Sequence, residues 1–545
     1  MNRPVVRIPL RAASVRPLWK WIRWLLVVAF LVAVIVGTRF VQIEIETSRL
    51  QARYLSELTR DIAYTVSDGP SVSIRFPSSG PYDTRLGYAL LPSIEQRLAA
   101  RGFAIAAQAR DSEKMLSLAD EGLFLPYEEK DQAGLQLFDA SGTPLFSARY
   151  PGQIYASFDE IPPLIVNSLL FIEDRYLLAA DQPNRNPALD WGRLSRALVD
   201  QGVRVFNRHQ QTPGGSTLAT QIEKFRHSQD GKTSTPLEKL RQIASASVRA
   251  YLDGPQTMPA RRQIVVHYLN SVPLSAKAGI GEVNGIADGL AAWYGRDFDE
   301  VNRLLRAPLS PDTLDAQALA FREVLSLMIA QRAPSYFLHS GNAELGRLTD
   351  SYLRLLASGG IIPASLRDAA LAAAPQVDHT HAIRAQMSFV SRKAVNSLRA
   401  QMLSALGVHN FYDLERLDLT AVATLDNAVQ QAVSERLALA GTRDGASAAG
   451  LYGFEMLRPQ DDPSKIAYSF TLFERRGTEN VLRVQTDSLN QPFDVNQGAR
   501  LNLGSTAKLR TVVTYLQIVS QLHERYASMS PAELRAVKPD RQDAL

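Results

Sequence analysis

The sequence predicts a multidomain chain: one transmembrane helix, a small juxtamembrane α/β region, a mainly α-helical central domain, and a further α/β region towards the C-terminus. Three observations carry this. An apolar run follows a basic flank near the N-terminus. A dense series of helix-sized amphipathic segments runs from Ile161 to about Ala374. Strand-like alternation precedes and follows that series. At 545 residues the chain is too long for one core. Its 46% apolar and 21% charged residues are the composition of a folding chain. It has no cysteine, which excludes disulfides, zinc–thiolate sites and iron–sulfur clusters.

The net charge of +5 is misleading. Arg3, Arg7, Arg11, Arg16, Lys20 and Arg23 stand in a first segment without acids, and the rest of the chain sums to −1. This is no nucleic-acid footprint. Residues 21–38 hold one charge, Arg23, and are long enough to cross a bilayer. Trp19, Trp21 and Trp24 suit the headgroup interface, and Arg23 can snorkel. Positive charge before the span places the N-terminus in the cytoplasm and everything after Arg39 outside. No small-x-small pattern follows Val36, which favours an uncleaved anchor over a cleaved signal peptide. The expected divisions are 1–20, a basic tail; 21–39, the anchor; 40–150, the juxtamembrane region; 151–376, the helical domain; and 377–545, a linker with the second α/β unit.

Residues 40–63 have helical spacing of Val41, Ile45, Leu50, Tyr54, Leu55 and Leu58. Residues 72–76 alternate as a strand, 92–102 read as an exposed helix ended by Gly102, and 134–146 as a hairpin turning at 139–142. Helices are then expected at 162–178, 190–206, 216–227, 236–252, 260–270, 284–294, 316–331, 343–358 and 363–374. Beyond 377 a strand at 419–425, a helix at 427–440 and strands at 449–456, 466–474 and 480–486 follow.

Two segments carry chemistry. Glu173-Asp174 ends the apolar run from Leu164 to Ile172, and a carboxylate against an apolar wall can act as an acid or base near neutral pH. The alternative is a helix end with solvated acids. Gly214-Gly-Ser-Thr-Leu-Ala-Thr-Gln221 is a glycine turn opening a helix, whose free N–H groups face an anion. The bland reading is a turn with a Ser/Thr cap. Ser216, Thr220, Gln221, Glu223 and Lys224 make one wall of that helix polar. The basic series Lys224, Arg226, Lys232, Lys239 and Arg241 suits a pyrophosphate, or a solvated face. His209, His227, His379 and His381 have no metal-like spacing.

With these residues in hand, 164–335 resemble the peptidoglycan glycosyltransferase domain, glycosyltransferase family 51, of class A penicillin-binding proteins and monofunctional transglycosylases. The family's Glu-Asp-x-x-Phe is similar to Glu173-Asp-Arg-Tyr-Leu177, and its following segments to Asn186–Asp190 and Arg196-Ala197. Its Gly-Gly-Ser-Thr-Ile-Thr-Gln-Gln-Leu-x-Lys resembles Gly214 to Lys224, and its Arg-Lys-x-x-Glu resembles Glu238-Lys239-Leu-Arg241-Gln242. Its Ile-Leu-Glu-x-Tyr-Leu-Asn resembles Ile264 to Asn270, and its Gly-x-x-x-Ala-Ala-x-x-Tyr-Phe-Gly resembles Gly285 to Gly295. Ala333-Pro334-Ser335 fits its Ala-Pro-Ser. Leu177 departs from the family's Phe, and a few residues are inserted near 179–186. Gln242 and Val266 replace glutamates, with Glu238 or Glu223 as candidate substitutes.

The resemblance implies a lysozyme-like helical fold and elongation of a glycan strand from lipid II with release of undecaprenyl pyrophosphate. It makes Glu173 the catalytic base, with Asp174, Ser216, Thr217, Gln221, Lys224, Lys239, Arg241, Gln242 and Asn270 as substrate-binding residues. It further implies a divalent cation (Mg²⁺ or Mn²⁺) on the leaving group, lipid II, the growing strand and cell-wall synthesis proteins as partners, and a single-pass protein of the bacterial inner membrane with a periplasmic catalytic part. The alternatives are a non-catalytic lipid II- or glycan-binding module and a lytic glycan-cleaving enzyme. Thr424-Leu-Asp426, Phe493–Asn496 and Leu503–Leu509 resemble the start of a penicillin-binding transpeptidase domain, with Ser505 and Lys508 as its Ser-x-x-Lys pair. No Lys-Thr-Gly follows Lys508, so the transpeptidase-like unit is expected to be incomplete, a fragment or a vestige.

Overall fold

The computed structural model describes residues 16–191, 216–377, 389–491, 494–500, 502 and 504–538. The chain divides into two compact units. One runs to Met387 and takes in Val395–Thr424; the other joins Ser388–Ala394 to the residues from Leu425 onward.

The apolar run lies within one helix, Arg16–Thr47, so the anchor and the first part of the expected 40–63 helix are continuous. Trp21–Thr47 is long and apolar enough to cross a membrane and is unburied along its length. The helix breaks at Ser48, whose φ of +50° leaves the helical region. The Glu44 carboxylate accepts the N–H groups of Leu50 (2.9 Å) and Gln51 (3.0 Å), capping the next helix, Arg49–Thr59. That helix docks on the helical domain: Ala52 packs on Ala250 and Tyr251, and Thr59 Oγ1 donates to the Tyr251 carbonyl (2.8 Å).

In the juxtamembrane region Tyr64–Asp68 pairs antiparallel with Ala107–Asp111. The strand expected at 72–76 does not form. Arg75 N–H instead donates to the Asp111 carboxylate, and Val72 is 98% exposed, so the alternation there has no face to bury. The helix expected at 92–102 is Leu91–Ala99. The hairpin Leu135–Phe138/Pro144–Ser147 forms as expected, its turn held by the Asp139 carboxylate, which accepts from the Ser141 and Thr143 N–H groups. Leu419–Val422 adds in parallel to Leu135–Phe138. Leu135 and Leu137 then meet Ile94, Val395, Leu406, Leu414 and Leu417 in a small core.

The helical domain comprises Pro163–Glu173, Leu218–His227, Pro236–Ala250, Met258–Ser271, Gly285–Tyr294, Phe298–Arg306, Leu314–Ala330, Asn342–Ser358 and Ala364–Ala372. Its core gathers on Leu314–Ala330, buried over nearly all of Gln317–Ala330, where the charged Arg322 and Glu323 are paired with Asp350 and Arg296. The helix Phe298–Arg306 and the hairpin Pro273–Lys277/Gly281–Asn284 were not expected. The helix expected at 190–206 ends short of any test, because 192–215 lie outside the described residues, with Arg196-Ala197 and Gly214-Gly215 among them.

In the second unit Asn427–Ala440 lies on the hairpin Ser469–Arg476/Glu479–Asp487, and Lys393 forms a buried ion pair with Asp487. The strand expected at 449–456 is not formed; a short helix, Arg443–Ala448, precedes that stretch. Ser505 lies in a 3₁₀ turn and Lys508 in the first turn of Ala507–Tyr526, both exposed, and no hydrogen bond joins them.

Candidate active site

Glu173 is the last residue of Pro163–Glu173, a helix of apolar side chains anchored by Ile165, Val166 and Leu169 in the core. The backbone leaves the helix at Asp174 (φ −157°, ψ 81°). Leu177 is fully buried, so leucine serves as the apolar anchor of this turn. Arg261 clamps the following loop, donating to the carbonyls of Leu177 (2.9 Å) and Gln182 (2.9 Å). These supports fix the carboxylate at a helix end, only 13% exposed.

Four side chains surround that carboxylate. Gln221 Nε2 donates to Glu173 Oε2 at 3.1 Å. Arg332 Nη2 stands 3.8 Å from Oε1. Burial lowers the proton affinity of Lys224, and the negative charge of Glu173 partly restores it. Tyr268 is buried in the same neighbourhood, and burial together with Glu173 holds its phenol protonated. The carboxylate thus faces an amide and cations rather than the apolar wall read from the sequence. Arg332 was not among the expected residues because its local sequence carries no sign that it meets Glu173; only its position before Ala333-Pro334-Ser335 pointed there.

Leu218–His227 supplies the cationic side. Thr217 caps it, its hydroxyl and that of Thr220 forming a reciprocal capping box. Lys239, from the neighbouring helix, reaches this N-terminus: Nζ donates to Ser216 Oγ (2.8 Å) and lies 3.4 Å from Thr220 Oγ1. Burial, then repulsion from Lys224, pulls its pKa down to about 8. A helix N-terminus met by the Lys239 ammonium group attracts an anion, and an anion would relieve the repulsion between Lys239 and Lys224.

The remaining expected residues lie elsewhere. Gln242 is fully buried, its amide donating to Ser228 Oγ (2.9 Å) and Thr233 Oγ1 (2.9 Å). Of the substitutes considered for the missing acid, Glu238 accepts from Ser228 Oγ (2.6 Å) and Glu223 pairs with Arg249 (2.8 Å). Val266 sits in the core. Arg241 stacks on Phe124, 4.1 Å from the ring centre. Asn270 ties the backbone of Tyr155 to Asp131: it accepts from Tyr155 N–H (2.9 Å) and donates to Asp131 (2.9 Å). Asp174 is buried at the turn that follows Glu173.

Behind the site is a buried ionic network that the sequence did not suggest. Arg226 bonds Glu129 and Asp131, each at 2.5 Å. His227 bridges Asp83 and Glu129, each at 2.8 Å. Arg249 joins Glu129 (2.6 Å) and Glu223 (2.8 Å). Burial disfavours the His227 cation, but Glu129 and Asp83 outweigh it and lift its pKa to about 9. Burial likewise opposes ionised Glu129, yet Arg249, His227 and Arg226 hold it well below the usual carboxylate range. Among the described residues no three His, Asp or Glu side chains converge as a cation site. Gln221, Arg332, Lys224 and Tyr268 around the Glu173 carboxylate are positive or neutral, and they add no carboxylate ligand for a divalent ion.

No curated protein matches the chain. The Transglycosylase family model matches residues 142–354, a span that contains Glu173, Gln221, Lys224, Lys239 and Arg332. The chain therefore carries, over 142–354, a transglycosylase domain of glycosyltransferase family 51, the glycosyltransferase domain of class A penicillin-binding proteins.

Proposed function

We propose that this domain polymerises lipid II into glycan strands at the outer face of the cytoplasmic membrane. The observation that carries the reading is the Glu173 carboxylate at 3.1 Å from Gln221, on the same helix that meets Lys239 and bears Lys224. Glu173 takes the proton of the acceptor sugar's 4-hydroxyl as that oxygen attacks C1 of the donor. The bond from C1 to the undecaprenyl pyrophosphate breaks, and the leaving oxygen keeps the electron pair. Lys224, Lys239 and the N-terminus of Leu218–His227 hold the pyrophosphate charge. Gln221 and Arg332 hold the carboxylate in place for the proton. The anchor suits a substrate whose lipid tail stays in the bilayer, with the N-terminus in the cytoplasm and the catalytic part in the periplasm. The exposed Ser505 and Lys508 enter no step of this reaction.

The test is polymer formation from labelled lipid II by the full chain in detergent. Glu173→Gln is expected to slow it by about 10²–10⁴. Wild-type speed in that variant rules out the base.

One observation favours a second reading. Gln242 stands where the family has an acid, and it is sealed in neutral hydrogen bonds. A module that binds lipid II without polymerising it has no need of that acid. Lipid II binding with no polymer from the wild-type chain selects this reading.

A further inference from the structure

A cavity of about 670 Å³ opens away from the Glu173 site, where Gly80 to Leu90, the loop at Gln229 and Asp230, Glu282 and the segment from Gly407 to Leu417 meet. Two arginines line it. Arg416 is 97% buried, its guanidinium stacked 3.6 Å from the Tyr412 ring centre and 4.8 Å from that of Tyr150. Its Nη2 donates to the Glu282 carbonyl (3.2 Å), while Nε and Nη1 have no hydrogen-bond acceptor. Arg85, half-buried, has neither a hydrogen bond nor an ion pair.

Three carboxylates also line the cavity, Asp230, Asp413 and Glu282, but neither Asp230 nor Asp413 is within ion-pair distance of either guanidinium, and Asp413 is bonded to Asn410 instead. Burial lowers the proton affinity of both guanidiniums, and each is supported first by the same carboxylate, Glu282, while Arg85 works against Arg416. Glu282 reaches Arg416 only at 3.8 Å, beyond hydrogen-bond range, and its side chain is 58% exposed. A buried guanidinium with idle donors is costly unless an anion meets it. Its planar fork fits two oxygens of one carboxylate or phosphate. The cavity volume is that of a small-molecule pocket.

We propose that Arg85 and Arg416 form a binding site for a small ligand bearing a carboxylate or phosphate group, and that Glu282 is the weak internal stand-in which the ligand displaces.

The experiment is calorimetric titration of the full chain in detergent with citrate and, separately, inorganic phosphate, at low ionic strength. Replacing Arg416 removes the filling between two tyrosines and risks the fold, so Arg85→Gln and Glu282→Gln carry the test. The expected result is one-to-one binding of at least one anion to the wild-type chain. Glu282→Gln tightens it by about fivefold, because the competing charge is gone. Arg85→Gln weakens it by about tenfold or more with an unchanged melting temperature. Citrate alone assigns a carboxylate ligand and phosphate alone a phosphate ligand. Should neither anion bind the wild-type chain or Glu282→Gln, or should binding ignore both substitutions, the proposal is overturned.

Discussion

The charged groups around Leu218–His227 divide into a Glu173 end and a Glu129 end, which make opposite use of charge. At the Glu173 end, Lys224 and the incoming Lys239 crowd each other, only part-buried, with Glu173 as the nearby opposing charge. At the Glu129 end, Arg226 and His227 of the same last turn are almost wholly buried and carry short bonds to Asp83, Glu129 and Asp131. The contrast separates work from scaffolding. Cations left with spare capacity can take a substrate anion; cations saturated by carboxylates can only hold helices in place. Three of the network's four acids, Asp83, Glu129 and Asp131, come from the juxtamembrane region, which thereby helps to set the position of Leu218–His227.

The largest expected effect breaks the working end. Glu173→Gln keeps the shape and the Gln221 contact but removes the proton acceptor. Polymerisation is expected to fall by about 10²–10⁴ with the melting temperature unchanged. A parallel loss of melting temperature would move Glu173 to the scaffolding side.

Next comes the saturated end. Glu129→Ala leaves Arg226, His227 and Arg249 buried with too few partners, and the expected cost is about 3–5 kcal/mol of stability. Chemical denaturation of the full chain in detergent measures it. A cost below about 1 kcal/mol would mean that the network is not load-sharing but redundant.

The two ends also titrate differently. His227 binds its proton more tightly folded (about 9) than unfolded (6.5). Its contribution is therefore complete below pH 6.5 and is lost as pH rises through about 9, on the order of 3 kcal/mol in all. Lys239 has the opposite sign. It releases its proton at about 8 when folded and at 10.5 when unfolded, so that window adds stability and offsets part of the loss. Polymerisation should decline as pH passes about 8, where Lys239 loses its charge. Lys239→Arg, which stays charged, is expected to keep its rate to higher pH. His227→Gln is expected to flatten stability across the upper window without moving the rate profile. A rate profile that follows His227 instead would join the two ends into one device.

Legibility in the sequence followed the same division. The helices from 163 to 372 were readable because their apolar positions recur at helical spacing, and Glu173, Gln221, Lys224 and Lys239 were readable because they sit in ordered short segments. Arg226 and His227 read as part of a solvated basic series, since nothing local announces that Glu129 and Asp131 will bury them. The pattern at 72–76 was a sound strand pattern, but the pairing partner went to Tyr64–Asp68. Ser48 breaks a helix without the glycine or proline that usually marks a break.

Gln242 gives the smallest expected effect and the sharpest boundary between the two kinds of charge. Its amide N–H groups are both spent on Ser228 and Thr233, and the Ser228 hydroxyl proton is already committed to Glu238. A carboxylate at 242 would meet the lone pairs of Ser228 rather than its proton, with Glu238 one helical turn away. Gln242→Glu is therefore expected to cost about 1–3 kcal/mol of stability and to leave the polymerisation rate where it was. A gain of about tenfold or more in rate would show that position 242 opens to the substrate after all, and that a second acid is the missing part of the working end.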